Sequence, residues 1–202
     1  VSREPGQLSI TALSRTTKVW ALLGLCRLRR GNRHSEAALA LYVRAVAAAR
    51  EPWLYQALGV PDTLDGRFDL LALYAFLLIH RLRTAPAPGP ALAQAVFDAM
   101  FSDMDNTLRE LGVSDLRVGK HMRAMWEALH GRAQAYASAL DANDRGALAA
   151  AVARNVWRGA APTAAARSLA GIVLAQTDHL AAQPLAAFVS GKVDFLVAAE
   201  IR

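Results

Sequence analysis

Forty-three of the 202 residues are alanine, and that load constrains the fold more than any other feature. Alanine is the best helix former and gives a strand little to pack on its pleated face. The larger apolar residues recur at three- and four-residue spacing and nowhere alternate with period two for long. The expected architecture is all-α: a single helical bundle of seven to nine helices with a basic N-terminal arm. A chain this long buries roughly 70 % of the surface its unfolded form exposes, so it needs no covalent staple. Its one cysteine, Cys26, excludes a disulfide scaffold and a Cys-based zinc site, and it suits a reducing compartment.

Charge divides the chain into 1–35 and 36–202. The formal net charge is +6, and residues 1–35 carry all of it, with seven basic groups against Glu4. The body is neutral, so attraction to an anionic partner must come from the arm. The longest apolar runs, Val19–Cys26 and Leu70–Ile79, hold eight and ten residues, whereas crossing a bilayer takes about 20. Three readings of the arm stand side by side. It is a disordered extension, a targeting segment, or a contact for a membrane surface or ribosome. In the last, Trp20, Leu22, Leu23, Leu25 and Leu28 enter an interface while Arg27, Arg29, Arg30 and Arg33 meet anionic groups. Four such arginines contribute at most about 4 kcal/mol.

Along the body, Ser35 is placed to cap a helix over 36–50, with Leu39, Tyr42, Val43 and Val46 on one face. A short helix over 53–58 ends at Gly59. The next, over 67–83, is apolar on nearly all sides and should be the buried centre. The loop over 84–90 precedes an amphipathic helix over 91–111, with Phe97, Phe101, Met104, Leu108 and Leu111 as its core stripe. The stripe from Val118 through Met122, Met125, Trp126, Leu129, Ala133 and Tyr136 to Leu140 runs straight past Gly131, which predicts one long helix over 117–140. Asn143 or Asp144, Pro162-Thr163 and Pro184 open three more, the last carrying Leu185, Phe188, Val189 and Leu196. A Leu-Gly-Val turn occurs twice, at Gly59 and Gly112. Each glycine suits the left-handed position after a helix, and Asp62 or Asp115 suits the cap of the next.

Catalytic signals are sparse. There is no phosphate loop, dinucleotide fingerprint or nucleophile elbow. Glu127-x-x-His130 has the spacing used in di-iron bundles, but such sites want a second copy. A helical metal- or cofactor-dependent enzyme using Glu127 and His130 is one alternative reading. A basic-arm adaptor for RNA or a membrane surface is another.

Several ordered blocks are familiar. Gly59-Val-Pro-Asp-Thr63, Gly66-Arg-Phe-Asp69 and Phe97-Asp-Ala-Met-Phe-Ser-Asp-Met-Asp105 are followed by Leu108-Arg-Glu-Leu-Gly-Val-Ser-Asp-Leu116 and Val118-Gly-Lys120. Gly131-Arg-Ala133, Tyr136 and Ala153-Arg-Asn155 complete the series. Over about 38–158 the chain resembles the ubiquinol–cytochrome c chaperone family, in a bacterial form. It departs from the pattern at His130, where an aromatic residue is usual, and at Tyr74, where histidine is common.

The resemblance implies a non-enzyme without cofactors. Its implied role is an assembly chaperone that binds newly made cytochrome b and promotes assembly of ubiquinol–cytochrome c reductase. It also implies a cytoplasmic place, peripheral on the inner face of the membrane, with possible ribosome contact and with no DNA or small-molecule substrate. Residues 36–202 would then be the chaperone domain. The charged motif residues Asp62, Arg67, Asp69, Arg109, Glu110, Asp115, Lys120 and Arg123 are candidate client contacts. The competing reading is structural: Arg67 braces the entry to the apolar helix against Asp69, Asp62 or Asp115. Phe97 and Phe101 read as core. Met122, Met125 and Trp126 read as core or as an adaptable client surface.

Overall fold

The computed structural model describes residues 34–159 and 163–201. The described residues lie within one unit, Asn32–Arg202. They form helices α1 (Ser35–Ala49), α2 (Pro52–Gln56), α3 (Leu64–Arg83), α4 (Gly89–Glu110), α5 (Asp115–Asp141), α6 (Arg145–Val156), α7 (Thr163–Ala182) and α8 (Leu185–Val189), then a 3-10 turn, Ala198–Glu200. No strand occurs among the described residues. None of their helices is long and apolar enough to cross a membrane.

Helix α3 is the axis of the bundle. Every residue from Ala72 to Ile79 is buried, because α1, α4, α5, α6 and α7 all pack against this helix. The all-round apolar sequence of α3 has this physical cause. Helix α5 runs unbroken through Gly131, where a side chain would meet nothing within 4 Å. The glycines at both Leu-Gly-Val turns are left-handed, Gly59 at φ +68° and Gly112 at φ +78°. At the first turn Val60 is buried, and the Trp157 indole N–H donates to the Gly59 carbonyl at 3.0 Å.

Several local expectations are corrected. Ser35 begins α1 rather than capping it, and His34 stands at the N-cap. The buried face of α1 is Ala38, Leu41, Tyr42, Ala45 and Ala49, while Leu39 and Val43 are exposed. Close helix packing selects small side chains here, and larger residues on the flank stay outside. Thr63, not Asp62, caps α3, accepting the Gly66 N–H at 3.1 Å. Ser114 holds the cap position of α5, so Asp115 falls in its first turn. Asp144 caps α6 through the Ala147 N–H at 2.9 Å. Leu196 is not helical: α8 ends at Val189 and the chain continues without helix to the 3-10 turn. Met122, Met125 and Trp126 are half-buried rather than core. Phe97 is buried and Phe101 half-buried, their rings stacked 4.4 Å apart.

Histidine 80 in α3 gives the fold a pH dependence. Burial, and then the nearby Arg83, lower its pKa from 6.5 to about 4, against an opposing pull from Asp141. The unfolded chain therefore takes up this proton first as pH falls. Stability is complete above the unfolded value and is lost as pH drops from 6.5 towards 4. The loss should amount to about 3 kcal/mol. Denaturation of the wild type and His80→Gln side by side should show a steeper acid loss in the wild type; parallel curves would contradict the assignment.

Candidate functional site

A groove of about 610 Å³ opens between the C-terminal end of α1, the first turns of α3, the second half of α4 and the first half of α5. Its walls are mainly apolar, with Phe68, Leu71, Met104, Leu108 and Met125 prominent. Leu64 and Leu111, which also line it, are 64 % and 60 % exposed. Large exposed leucines on an open apolar groove are what a binding surface offers, since a sealed core would hide them. Methionines suit such a wall because the unbranched thioether chain adapts to differently shaped partners.

An ionic node forms part of the groove's lining. Asp69, with a side chain only 2 % exposed, is hydrogen-bonded by Arg132, itself 13 % exposed. The other carboxylate oxygen lies 3.1 Å from Arg158, which also reaches Asp65 at 3.7 Å. Burial raises the Asp69 pKa, and the two arginines pull it back down. Arg132 also lies over the Phe68 ring, 5.8 Å from its centroid. Close by, Tyr136 meets the Asn155 side chain, and burial pushes its pKa up to about 12, so the hydroxyl keeps its proton. Three separate motif blocks, Gly66–Asp69, Gly131–Tyr136 and Ala153–Asn155, thus meet at one interior point.

The first of these blocks begins with a glycine for a steric reason. A Cβ at Gly66 would sit 2.0 Å from the Pro61 carbonyl oxygen, a backbone atom that cannot swing aside. Gly66→Ala should destabilise by about 1–3 kcal/mol, the cost of overpacking, read as a lowered denaturant midpoint at unchanged slope. An unchanged midpoint would show that the turn yields freely.

The candidate client residues separate into groups. Arg67 and Asp69 line the groove. Arg67 pairs with Asp62 at 2.6 Å, as one of the expected carboxylates, but it is 61 % exposed. The buried charge braced at this helix entry is therefore Asp69, and its braces are Arg132 and Arg158, which the sequence reading did not single out. Arg109 bonds Asp105 at 2.7 Å and also Asp115, tying the end of α4 to the start of α5. Arg123 reaches Glu127 at 3.2 Å. Glu110 and Lys120 are exposed and are not among the groove-lining residues.

A signal for Arg132 was present. It lies three residues after Leu129 and four before Tyr136, on the buried stripe of α5, where a charge needs a partner. The metal reading of Glu127 and His130 gains nothing from their neighbours. Glu127 faces Arg123, and His130 stacks on Trp126 with centroids 5.4 Å apart. No cluster of three potential metal ligands occurs among the described residues. The arm residues Trp20, Leu22, Leu23, Arg27, Arg29, Arg30 and Arg33 lie outside the described residues.

The pattern of blocks has counterparts elsewhere. The family model described as ubiquinol-cytochrome C chaperone matches residues 56–195. A Xenopus laevis protein, ubiquinol-cytochrome-c reductase complex assembly factor 1, is 24 % identical over 120 residues. That match spans 59 % of this chain and 60 % of the frog protein. The crystal structure of the Cbp3 homolog from Brucella abortus is similar with a TM-score of 0.77 and 36 % identity, covering 85 % of this chain and 94 % of that one. With most of its length matched by the family model and its fold shared with that homolog, the chain belongs to the ubiquinol–cytochrome c chaperone family.

Proposed function

We propose that the chain is an assembly chaperone for ubiquinol–cytochrome c reductase, and that its client is newly made cytochrome b. The observation that carries this reading is the open, methionine-bearing groove with exposed Leu64 and Leu111 at its walls. A chaperone acts by binding, and an apolar groove can shelter an apolar helix until its proper partners arrive. The family description and the name of the frog relative support the assembly role. The ionic node keeps this part of the groove's lining in shape. The ion pairs Asp62–Arg67, Arg109–Asp115 and Arg123–Glu127, together with Glu110 and Lys120, offer polar contacts that orient a client without adding much affinity.

Residues 1–35 serve as a basic arm in this reading, and residues 36–202 as the chaperone domain. The arm brings the chain to the inner face of the membrane or to the ribosome, where a membrane protein is made. This raises the local concentration of chaperone without adding specificity. The test is genetic. A strain lacking the chain should lose cytochrome b and reductase activity and keep its other respiratory complexes. Normal cytochrome b in that strain would overturn the proposal.

A further inference from the structure

The backbone is left-handed at one residue of the groove where a side chain is costly. Arg158 follows Trp157, the C-cap of α6, and stands at φ +57°. Glycine takes this conformation freely, and helices commonly place glycine just past the cap, whereas a side chain there is strained. The turn is pinned by its neighbour, since Trp157 is buried and its indole N–H donates to the Gly59 carbonyl. Arg158 is thereby held among the residues that line the groove, with its side chain 53 % exposed.

Bracing Asp69 accounts for only part of this side chain. Arg132 is the more buried partner and hydrogen-bonds one carboxylate oxygen. Arg158 lies 3.1 Å from the other oxygen, which accepts no hydrogen bond among the described residues, so this pair is ionic and not aligned. The second carboxylate near Arg158, that of Asp65, is 3.7 Å away and largely exposed. One guanidinium N–H donates to the Asn155 carbonyl at 3.3 Å, which leaves further donors of the fork over. Asp65 and Asp69 face Arg132 and Arg158, so the node is balanced in charge. What it offers an occupant of the groove is N–H donors without a surplus of positive charge.

We propose that Arg158 receives the C-terminal end of the apolar helix that docks in the groove, and so fixes which way round that helix lies. This rests on the groove reading above. A helix ends in about four carbonyls that have no partner within it, and they carry a partial negative charge. Laid in an apolar groove, those carbonyls lose water and need donors from the wall. An arginine supplies such donors, as arginines near helix C-termini do within proteins. A segment bearing a carboxylate fits less well, because its full charge would meet Asp65 and Asp69 in a node with no positive charge to spare. The strain at Arg158 is then tolerated because the side chain serves binding rather than the turn.

Arg158→Gly tests this with little effect on the fold, because glycine relieves the left-handed strain as the side chain is removed. Its melting temperature should be no lower than that of Arg158→Ala, which keeps a strained Cβ. The probe is a synthetic helical peptide of leucine and alanine, about 16 residues long, with glutamine on one face. Its ends are acetylated and amidated, so that terminal charge does not steer it. It carries a spin label at one end or the other and is titrated into the full-length isotope-labelled protein, followed by NMR. The Leu108 and Met125 methyl signals should shift, and the C-terminal label alone should broaden the Asp65, Phe68 and Arg158 amides. Arg158→Gly should bind at least about fivefold more weakly, the worth of one hydrogen bond, with no preferred direction. Broadening by the N-terminal label in the wild type, the result if Asp65 rather than Arg158 meets the helix end, overturns the proposal. So does an Arg158→Gly variant that binds as tightly and in the same direction, and in both cases the groove reading stands. Unmoved Leu108 and Met125 signals would overturn the groove reading and this inference with it.

Discussion

Replacing Asp69 by alanine should destabilise the folded chain by about 3–5 kcal/mol, because the buried Arg132 would be left without its counter-charge. Arg132→Ala should cost a similar amount, for the mirror reason. The two losses should not add in the double variant, since each single change already breaks the same contact. Arg158→Ala should be milder, near about 1 kcal/mol, because that side chain is half-exposed and solvent screens it. Denaturant midpoints at constant slope would measure all four variants. Additive losses, or an Asp69→Ala effect below about 1 kcal/mol, would mean that the node is not the brace of the α3 entry.

Filling the groove with charge should abolish the chaperone's activity and leave the fold in place. Leu108 in α4 and Met125 in α5 both line the groove and are only half-buried. Aspartate at these positions can stay solvated in the free protein, so the fold loses little. A docked apolar segment, however, would have to desolvate both carboxylates, at several kcal/mol. Each 1.4 kcal/mol is tenfold in affinity, so binding should weaken by at least about two orders of magnitude. In cells carrying Leu108→Asp with Met125→Asp, cytochrome b and reductase activity should fall to the level of the deletion strain. Replacing Glu127 and His130 by Gln and Asn should leave both intact, because the groove reading assigns them no chemistry: neither lines the groove, Glu127 pairs with Arg123 and His130 stacks on Trp126.

How far the sequence discloses this structure depends on what kind of contact makes each part. Helix α3 was readable because burial on every side leaves an apolar sequence on every side. Helix α5 was readable across Gly131 because its stripe keeps phase on both sides of the glycine. The two left-handed glycines were readable because that conformation selects the residue. In α1 the packed face is largely alanine, which carries no hydrophobic contrast, so Leu39 and Val43 drew the eye to the wrong side. The partners of Asp69 could not be paired from spacing, since Arg132 lies 63 residues away and reaches it only through the fold. The extended segment after α8, whose main chain Gln176 and Gln183 hold at Leu196 and Asp194, left no trace in the sequence, because glutamines that grip main-chain groups impose no pattern on the side chains they hold. The groove is legible only in part. Of its charges Arg67 and Asp69 were singled out, but its apolar walls come from four helices, and Leu108 and Leu111 look like core until the open space beside them is seen.

The central claim is that the groove itself holds cytochrome b. A photoreactive residue placed at Leu108 or Met125, in otherwise unaltered chain expressed in its own cells, tests it most directly. The same residue at Val43, on the exposed outer side of α1, serves as the control. Light should join cytochrome b covalently to the groove positions, most strongly while the protein is being made, and not to position 43. Adducts at Leu108 and Met125 that contain no cytochrome b, or cytochrome b captured equally at Val43, would contradict the account.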